Sequence, residues 1–367
     1  MSDTATEPDT SRGDGEHTGY VEERFERDTA YITDRVVADP SAATPKDGGV
    51  LWPVEAGRYR LVVARACPWA NRAVIVRRLL GLEDAISMGI CGPVHDWRSW
   101  TFDLDPGEVD PVLGIPRLRD AYLARFPEYP KGITVPALVE VASGKVVTND
   151  FWSMTADFAT EWTEHHRDGA PDLYPEAHRD EIETVSREFY EDVNDGVYKC
   201  GFAGSQGAYE EAYDALFGRL DALSERLERR RYLVGDTITL ADVRLWTTLA
   251  RFDAVYHGHF KANRHKLTEL PVLWAYARDL YQTPGFGDTI DWVQVKEHYY
   301  ATHLDINPTG VVPKGPDPAP WLEPHGRQQL GGRPFGDGTP PGPPPAGERV
   351  PVANNPTLAE DGTVRTG

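Results

Sequence analysis

Cys67 is the residue from which chemistry can first be argued. It stands in Ala66-Cys67-Pro68-Trp69-Ala70, after an apolar run at 59–64 and before a helical run at 71–80. A thiol in the first turn of a helix lies where unpaired N–H groups and the helix dipole favour negative charge. That placement lowers its pKa and makes a thiolate available near neutral pH. Pro68 suits the first helical position, where a missing N–H costs nothing. Ala70 occupies the position at which a two-cysteine redox motif would carry its second thiol. A nucleophilic thiolate with no local partner must be resolved by a thiol from outside. The pattern predicts a one-cysteine reductase or transferase; the bland alternative is an inert buried cysteine ahead of a helix.

The rest of the chain has to position that thiol. At 367 residues there is enough chain for two cores with extensions. With 40% hydrophobic and 26% charged residues the composition is that of a soluble globular protein. No run approaches the roughly 18 apolar residues of a membrane span. Residues 1–26 are polar and acidic, without the basic-then-apolar order of a signal peptide, so a cytoplasmic location is expected. Three cysteines, Cys67, Cys91 and Cys200, cannot build a disulfide framework, and their spacing suits no zinc site. Cys91 and Cys200 are expected to be small buried side chains, and no metal is expected. The net charge of −20 argues against nucleic acid and anionic membranes as partners.

Four regions are expected. Residues 1–50 read as an N-terminal extension with little regular structure. Residues 51–166 read as an α/β unit: strand 59–64, helix 68–80, strand 85–90, an insertion at about 91–116, helix 118–125, strands 136–141 and 145–148 joined at Gly144, and helix 151–165. Residues 175–306 read as all-helical, with Thr239 capping a helix whose Asp242 reaches back. Residues 307–367 contain Pro340 to Ala346, which reads PPGPPPA, and are expected to be disordered because they cannot bury enough apolar surface alone.

An α+β chain with a thioredoxin-like N-terminal domain and an all-helical C-terminal domain resembles the glutathione S-transferases. More narrowly it resembles their Xi class, the glutathionyl-hydroquinone reductases, which are also grouped with the omega-like transferases. The matching segments are Cys67-Pro68-Trp69-Ala70, Gly196-Val197-Tyr198-Lys199 with Gly201-Phe202-Ala203, Arg244-Leu245-Trp246-Thr247-Thr248-Leu249, His298-Tyr299-Tyr300, and Ile306-Asn307-Pro308-Thr309-Gly310.

The resemblance implies that the Cys67 thiolate attacks the sulfur of a thioether between a low-molecular-weight thiol and a hydroquinone. Tyr198, Tyr299 and Tyr300 match tyrosines that protonate the leaving ring, although neighbouring helix residues do not share a face. A second thiol then releases Cys67 from the mixed disulfide. Trp100 matches a tryptophan that packs on the thiol ligand. Val135-Pro136 matches the site of a cis proline whose neighbour's backbone pairs with that ligand. Trp69 and Trp97 are read as packing residues, His298 as a residue that could orient a tyrosine, and Asp242 as a helix cap. The resemblance also implies a homodimer.

The glutathione-binding half departs from the pattern. Asn149-Asp150-Phe151 stands where the family carries Asn-Glu-Ser, so the carboxylate is one methylene shorter and the hydroxyl is replaced by an apolar ring. The basic residue before Thr134-Val135-Pro136 is displaced to Lys131. The co-substrate is therefore glutathione or another low-molecular-weight thiol, mycothiol being one candidate. Two other activities remain open: a thioltransferase or dehydroascorbate-reductase-like enzyme that would not need Tyr198, and a catalytically retired transferase fold that only binds.

Overall fold

The computed structural model describes residues 24–96 and 98–365. The expectations for residues 1–23 and for Trp97 lie outside the described residues. Two short parallel strands open the described chain, β1 (Arg35–Val37) and β2 (Leu51–Pro53). The central sheet follows from β3 (Tyr59–Ala64), β4 (Ile86–Cys91), β5 (Ala137–Glu140) and β6 (Lys145–Thr148) in the order β4-β3-β5-β6. β4 runs parallel to β3, and β5 and β6 are antiparallel to their neighbours. This is the thioredoxin-like arrangement. Every residue of β3 is buried, as a central strand covered on both faces requires.

Helix α1 (Pro68–Leu80) crosses from β3 to β4 and ends at Gly81, which takes φ 73° in the left-handed region that glycine tolerates. Helices α2 (Leu118–Arg125) and α3 (Phe151–Thr160) complete the first domain. The second domain contains α4 (Arg179–Phe189), α5 (Gly196–Gly201), α6 (Gln206–Leu227), α7 (Leu240–Leu249), α8 (Pro271–Gln282) and α9 (Trp292–Thr302). Wide turns of π type follow α4 at Tyr190–Asn194 and α7 at Phe252–Tyr256. All ten residues of α7 are buried, so it is the central helix of this half. Asp242 is its buried cap, accepting from the amides of Leu233 and Thr239 at 2.9 Å and from the Tyr276 hydroxyl at 2.8 Å.

Two expectations are corrected. Residues 307–365 are not disordered: they form a strap along both domains. Trp321 packs on Trp274 and Tyr281 at ring-centre distances of 4.7 and 4.8 Å. Asn355 is wholly buried and donates to the Ile290 carbonyl at 2.9 Å. Glu348 reaches the guanidinium of buried Arg77 on α1 through two contacts of 2.7 Å. The strap needs no core of its own because it inserts single side chains into a core already built, and its prolines lose little chain entropy on ordering.

The segment at 24–50 is likewise no detached extension, although β1 is its only strand. It is fastened to the first domain by the Ile32 amide on Asn149 Oδ1 at 2.8 Å and by Asp34, which accepts from Arg125 at 2.5 Å. Arg27 fastens it to the second domain through Asp195 at 2.6 Å.

Candidate active site

Cys67 is the N-cap of α1, with extended backbone angles, and its Sγ accepts the Ala70 amide at 3.4 Å. It lies 3.5 Å from the Val135 carbonyl oxygen. The Val135–Pro136 bond is cis. The helix start after β3 and the turn before β5 thus bring Cys67, Val135 and Pro136 together, with the thiol 4% exposed.

The phenols come from the helical domain. The Tyr198 hydroxyl on α5 lies 2.6 Å from that of Tyr299 on α9, and Tyr256 is 3.0 Å from Tyr299 on the other side. The Tyr198 ring stacks at 6.1 Å on Trp69, two residues beyond Cys67. Burial pushes the Tyr256 pKa up to about 12, so this phenol holds its proton at neutral pH. Tyr300 is turned away from the group. Its ring lies 4.5 Å from that of His259, and its hydroxyl points to the Ala254 carbonyl at 3.4 Å. One helical step rotates a side chain by about 100°, so Tyr299 and Tyr300 serve different surroundings.

The insertion after β4 supplies a second wall. Trp100 is 2% exposed; it stacks on His298 at 5.0 Å and meets the tilted ring of His95 at 4.5 Å. His298 Nδ1 lies 2.8 Å from the Pro93 carbonyl, so the proton on that nitrogen is donated to the insertion. Tyr299 is its neighbour, with rings 5.2 Å apart. Trp100 therefore reaches the phenols through His298.

Asp150 and Lys131 do not meet. Lys131 pairs with Asp28 at 2.9 Å on the surface. Asp150 is the buried N-cap of α3. Its Oδ1 accepts from the amides of Trp152 and Ser153 at 3.1 and 3.2 Å, and its Oδ2 from Ser153 Oγ at 2.8 Å and Lys46 Nζ at 2.5 Å. All four acceptor directions of the carboxylate are occupied by the chain itself. Phe151 packs its ring on Trp69 at 4.8 Å and on Tyr31 at 5.4 Å, which makes this wall aromatic.

Cys91 and Cys200 are buried, as expected, and burial raises both thiols, Cys200 to about 12. Among the described residues no group of three His, Cys, Asp or Glu side chains is placed to hold a metal. Five residues at the site were not singled out in the sequence: Arg27, Lys46, Arg72, Arg251 and Tyr256. The guanidinium of Arg27 lies 4.7 Å from the Trp69 ring and 4.6 Å from that of Tyr198, on the N-terminal side of the site. For Arg251 a signal existed. It lies seven residues after Arg244, just past the end of a buried helix, and a charge there needs a reason.

The comparisons with known proteins agree with this geometry. Residues 206–279 match the family described as Glutathione S-transferase, C-terminal domain. The chain is 38% identical over 309 residues to Glutathionyl-hydroquinone reductase YqjG of Escherichia coli, covering 83% of this chain and 92% of that one. It superposes on a glutathione transferase from Gordonia bronchialis with a TM-score of 0.85 at 70% identity, covering 88% and 98%. It superposes on a Xi class transferase from Natrialba magadii with a TM-score of 0.77 at 39% identity, covering 84% and 94%. A thioredoxin-like sheet joined to a helical domain, with a cysteine capping the first helix, defines a transferase of the glutathione S-transferase superfamily, and the chain belongs to it. Within that superfamily its near relatives are the Xi-class glutathionyl-hydroquinone reductases and the omega-like transferases.

Proposed function

We propose that this chain is a thiol-dependent reductase that cleaves thioether conjugates of hydroquinones. The observation that carries the reading is the line of hydrogen-bonded phenols, Tyr198, Tyr299 and Tyr256, stacked through Trp69 onto the turn that holds Cys67. In the first half-reaction the Cys67 thiolate attacks the thioether sulfur and forms a mixed disulfide with the small thiol. The electron pair of the broken carbon–sulfur bond stays on the ring carbon, which takes a proton from a phenol. In the second half-reaction another thiol attacks the mixed disulfide and releases a small-molecule disulfide and the Cys67 thiolate. The phenols suit the first step because they are neutral donors at pH 7 and can be placed over an aromatic ring.

The absence of a second cysteine in the Cys67 motif supports an external thiol as reductant. The self-satisfied Asp150 and the aromatic Phe151 wall support a thiol other than glutathione. The reading extends to a cytoplasmic homodimer without nucleic-acid or membrane partners. No helix among the described residues is long and apolar enough to cross a membrane.

The test is intact-mass spectrometry of Cys67 after exposure to oxidised glutathione and, separately, oxidised mycothiol, followed by turnover of a hydroquinone conjugate of whichever thiol adds. An adduct and release of the free hydroquinone are expected. An unreactive Cys67 would leave a binding protein as the better account.

A further inference from the structure

Two arginines beside Cys67 carry charges that no carboxylate among the described residues meets. Arg72, on α1, is 1% exposed. One of its terminal nitrogens donates to Asn194 Oδ1 at 2.8 Å and to the Arg244 carbonyl at 3.0 Å. Its Nε and other terminal nitrogen are buried without a partner. The guanidinium lies 4.6 Å from the Trp69 ring and 5.4 Å from that of Phe151.

Arg251 lies just beyond α7, wholly buried, and reaches across the domain interface. Its Nε donates to the Ala66 carbonyl at 2.7 Å, and its terminal nitrogens to the Arg65 carbonyl at 2.9 Å and to Asn71 Oδ1 at 3.1 Å. The Thr247 carbonyl takes a fourth bond at 2.8 Å. Every acceptor is neutral, and two of them belong to the residues immediately before Cys67. A buried cation without a counter-ion is costly, and two at one turn cost more, unless an anion forms between them.

The other charged groups around the turn are already matched. Arg27 is paired with Asp195 at 2.6 Å, and Asp150 with Lys46 at 2.5 Å. Arg65 donates to the Glu348 and Arg349 carbonyls of the strap, and the carboxylates of Asp291 and Glu348 favour its charge. Burial, and then Arg244, pushes Arg72 down to about 9, while Tyr190, Cys67 and Tyr31 favour its charge. Burial raises both Tyr190 and Tyr31 beyond the usual phenol range, so neither is an anion at pH 7. Tyr256 on the α7 side is neutral for the same reason. His298 on α9 is turned to the Pro93 carbonyl. Of the three groups that favour the charge on Arg72, Cys67 is the thiol, and the other two are phenols that burial holds neutral.

We propose that Arg72 and Arg251 are the counter-charges that hold Cys67 as a thiolate, with Arg251 a positioning residue through which the helical domain activates the nucleophile of the other domain. This rests on the reading of Cys67 as the nucleophile. Hydrogen bonds to the Arg65 and Ala66 carbonyls fix the turn, and the buried charge favours the deprotonated sulfur. Activation is then a property of the docked domains and not of the Cys-Pro turn alone.

The test is the pH dependence of Cys67 alkylation by iodoacetamide, read by mass spectrometry in the full chain and in Arg72→Gln, Arg251→Gln and Arg251→Lys. The wild-type midpoint is expected well below the ordinary thiol value of about 8.5. Each glutamine variant is expected to raise it by about one unit, slowing alkylation near pH 6 about tenfold. The lysine variant is expected to fall between, since it keeps the charge and loses the forked hydrogen bonds. An ordinary wild-type midpoint would remove Cys67 as the nucleophile and the proposed function with it. A low wild-type midpoint shared by both folded glutamine variants would overturn the arginine assignment and leave the nucleophile standing. Should those variants not fold, arginine Nε resonances of the full wild-type chain are followed by NMR against Cys67→Ser. Two resonances are expected to move with the Cys67 titration and to stay still in the serine variant, and the absence of such a shift overturns the assignment.

Discussion

The hydroxyls of Tyr198 and Tyr299 lie 2.6 Å apart, on α5 and α9, so one of the two donates to the other. A phenol that accepts a hydrogen bond while it donates is easier to deprotonate than a solitary one, and Tyr256 at 3.0 Å extends the chain. In the proposed reaction this pair would pass a proton to the ring carbon and replace it from within.

Removing either hydroxyl should separate the two chemistries open to Cys67. Tyr198→Phe and Tyr299→Phe are each expected to slow hydroquinone release about a hundredfold. Reduction of a simple mixed disulfide, which needs no carbon protonation, should change less than about twofold. Tyr300→Phe should leave both rates near wild type, because its hydroxyl faces the Ala254 carbonyl. Steady-state rates on the two substrate types decide this; an equal fall on both would return the enzyme to the thioltransferase class.

Lys46 occupies the Asp150 carboxylate from a side chain that is 41% exposed. The resemblance implies that an acid at this corner grips the γ-glutamyl end of glutathione. Lys46→Ala should free the carboxylate for a ligand's ammonium and lower the KM for glutathione, while a thiol without a γ-glutamyl group gains nothing. A KM for glutathione that rises in the variant would place Lys46 among the ligand's own contacts.

The strap should be felt in stability. Glu348→Ala leaves the guanidinium of Arg77, which is 0% exposed, with only the Ile86 and Glu83 carbonyls at 2.6 and 3.3 Å. Breaking one side of a buried ion pair costs about 3 kcal/mol. Chemical denaturation followed by tryptophan fluorescence should show that loss, and an unchanged midpoint would mean the strap rests on the domains without supporting them.

His259 gives an expected acid limb. Burial first and Lys261 second push its pKa down to about 4, beside His303 at a ring nitrogen distance of 3.2 Å. An unfolded imidazole titrates near 6.5, so below that pH the unfolded chain binds a proton that the native chain refuses. Stability is whole above about pH 7 and falls as the pH drops from about 6.5 to 4, by about 3 kcal/mol in all. Denaturation midpoints across that window should fall in the wild type and fall less in His259→Gln.

The Cys67 turn was legible in the sequence because its signals are local. Cys67-Pro68 at a strand-to-helix junction, the capping pair Thr239 and Asp242, and the Gly144 hairpin are each decided within a few residues by hydrogen-bond supply and backbone sterics. The four-stranded sheet and the run of helices followed from hydrophobic periodicity. The disorder expected of the strap fails for the same reason that these expectations hold. Composition measures what a segment can bury by itself, and residues 307–365 bury their few apolar side chains in grooves made by other elements.

The sequence by itself determined the cysteine at the start of the first long helix, the two-domain architecture and the phenol-bearing motifs, since each is written in neighbouring residues. Only the tertiary structure decided which of Tyr299 and Tyr300 joins Tyr198, that Asp150 is held by Lys46 and not by Lys131, and that Arg251 clasps the Cys67 turn. Those are contacts between residues far apart in the chain. Helix rotation, burial and the shortage of carboxylates around the turn choose them, and none of these quantities exists before the two domains pack.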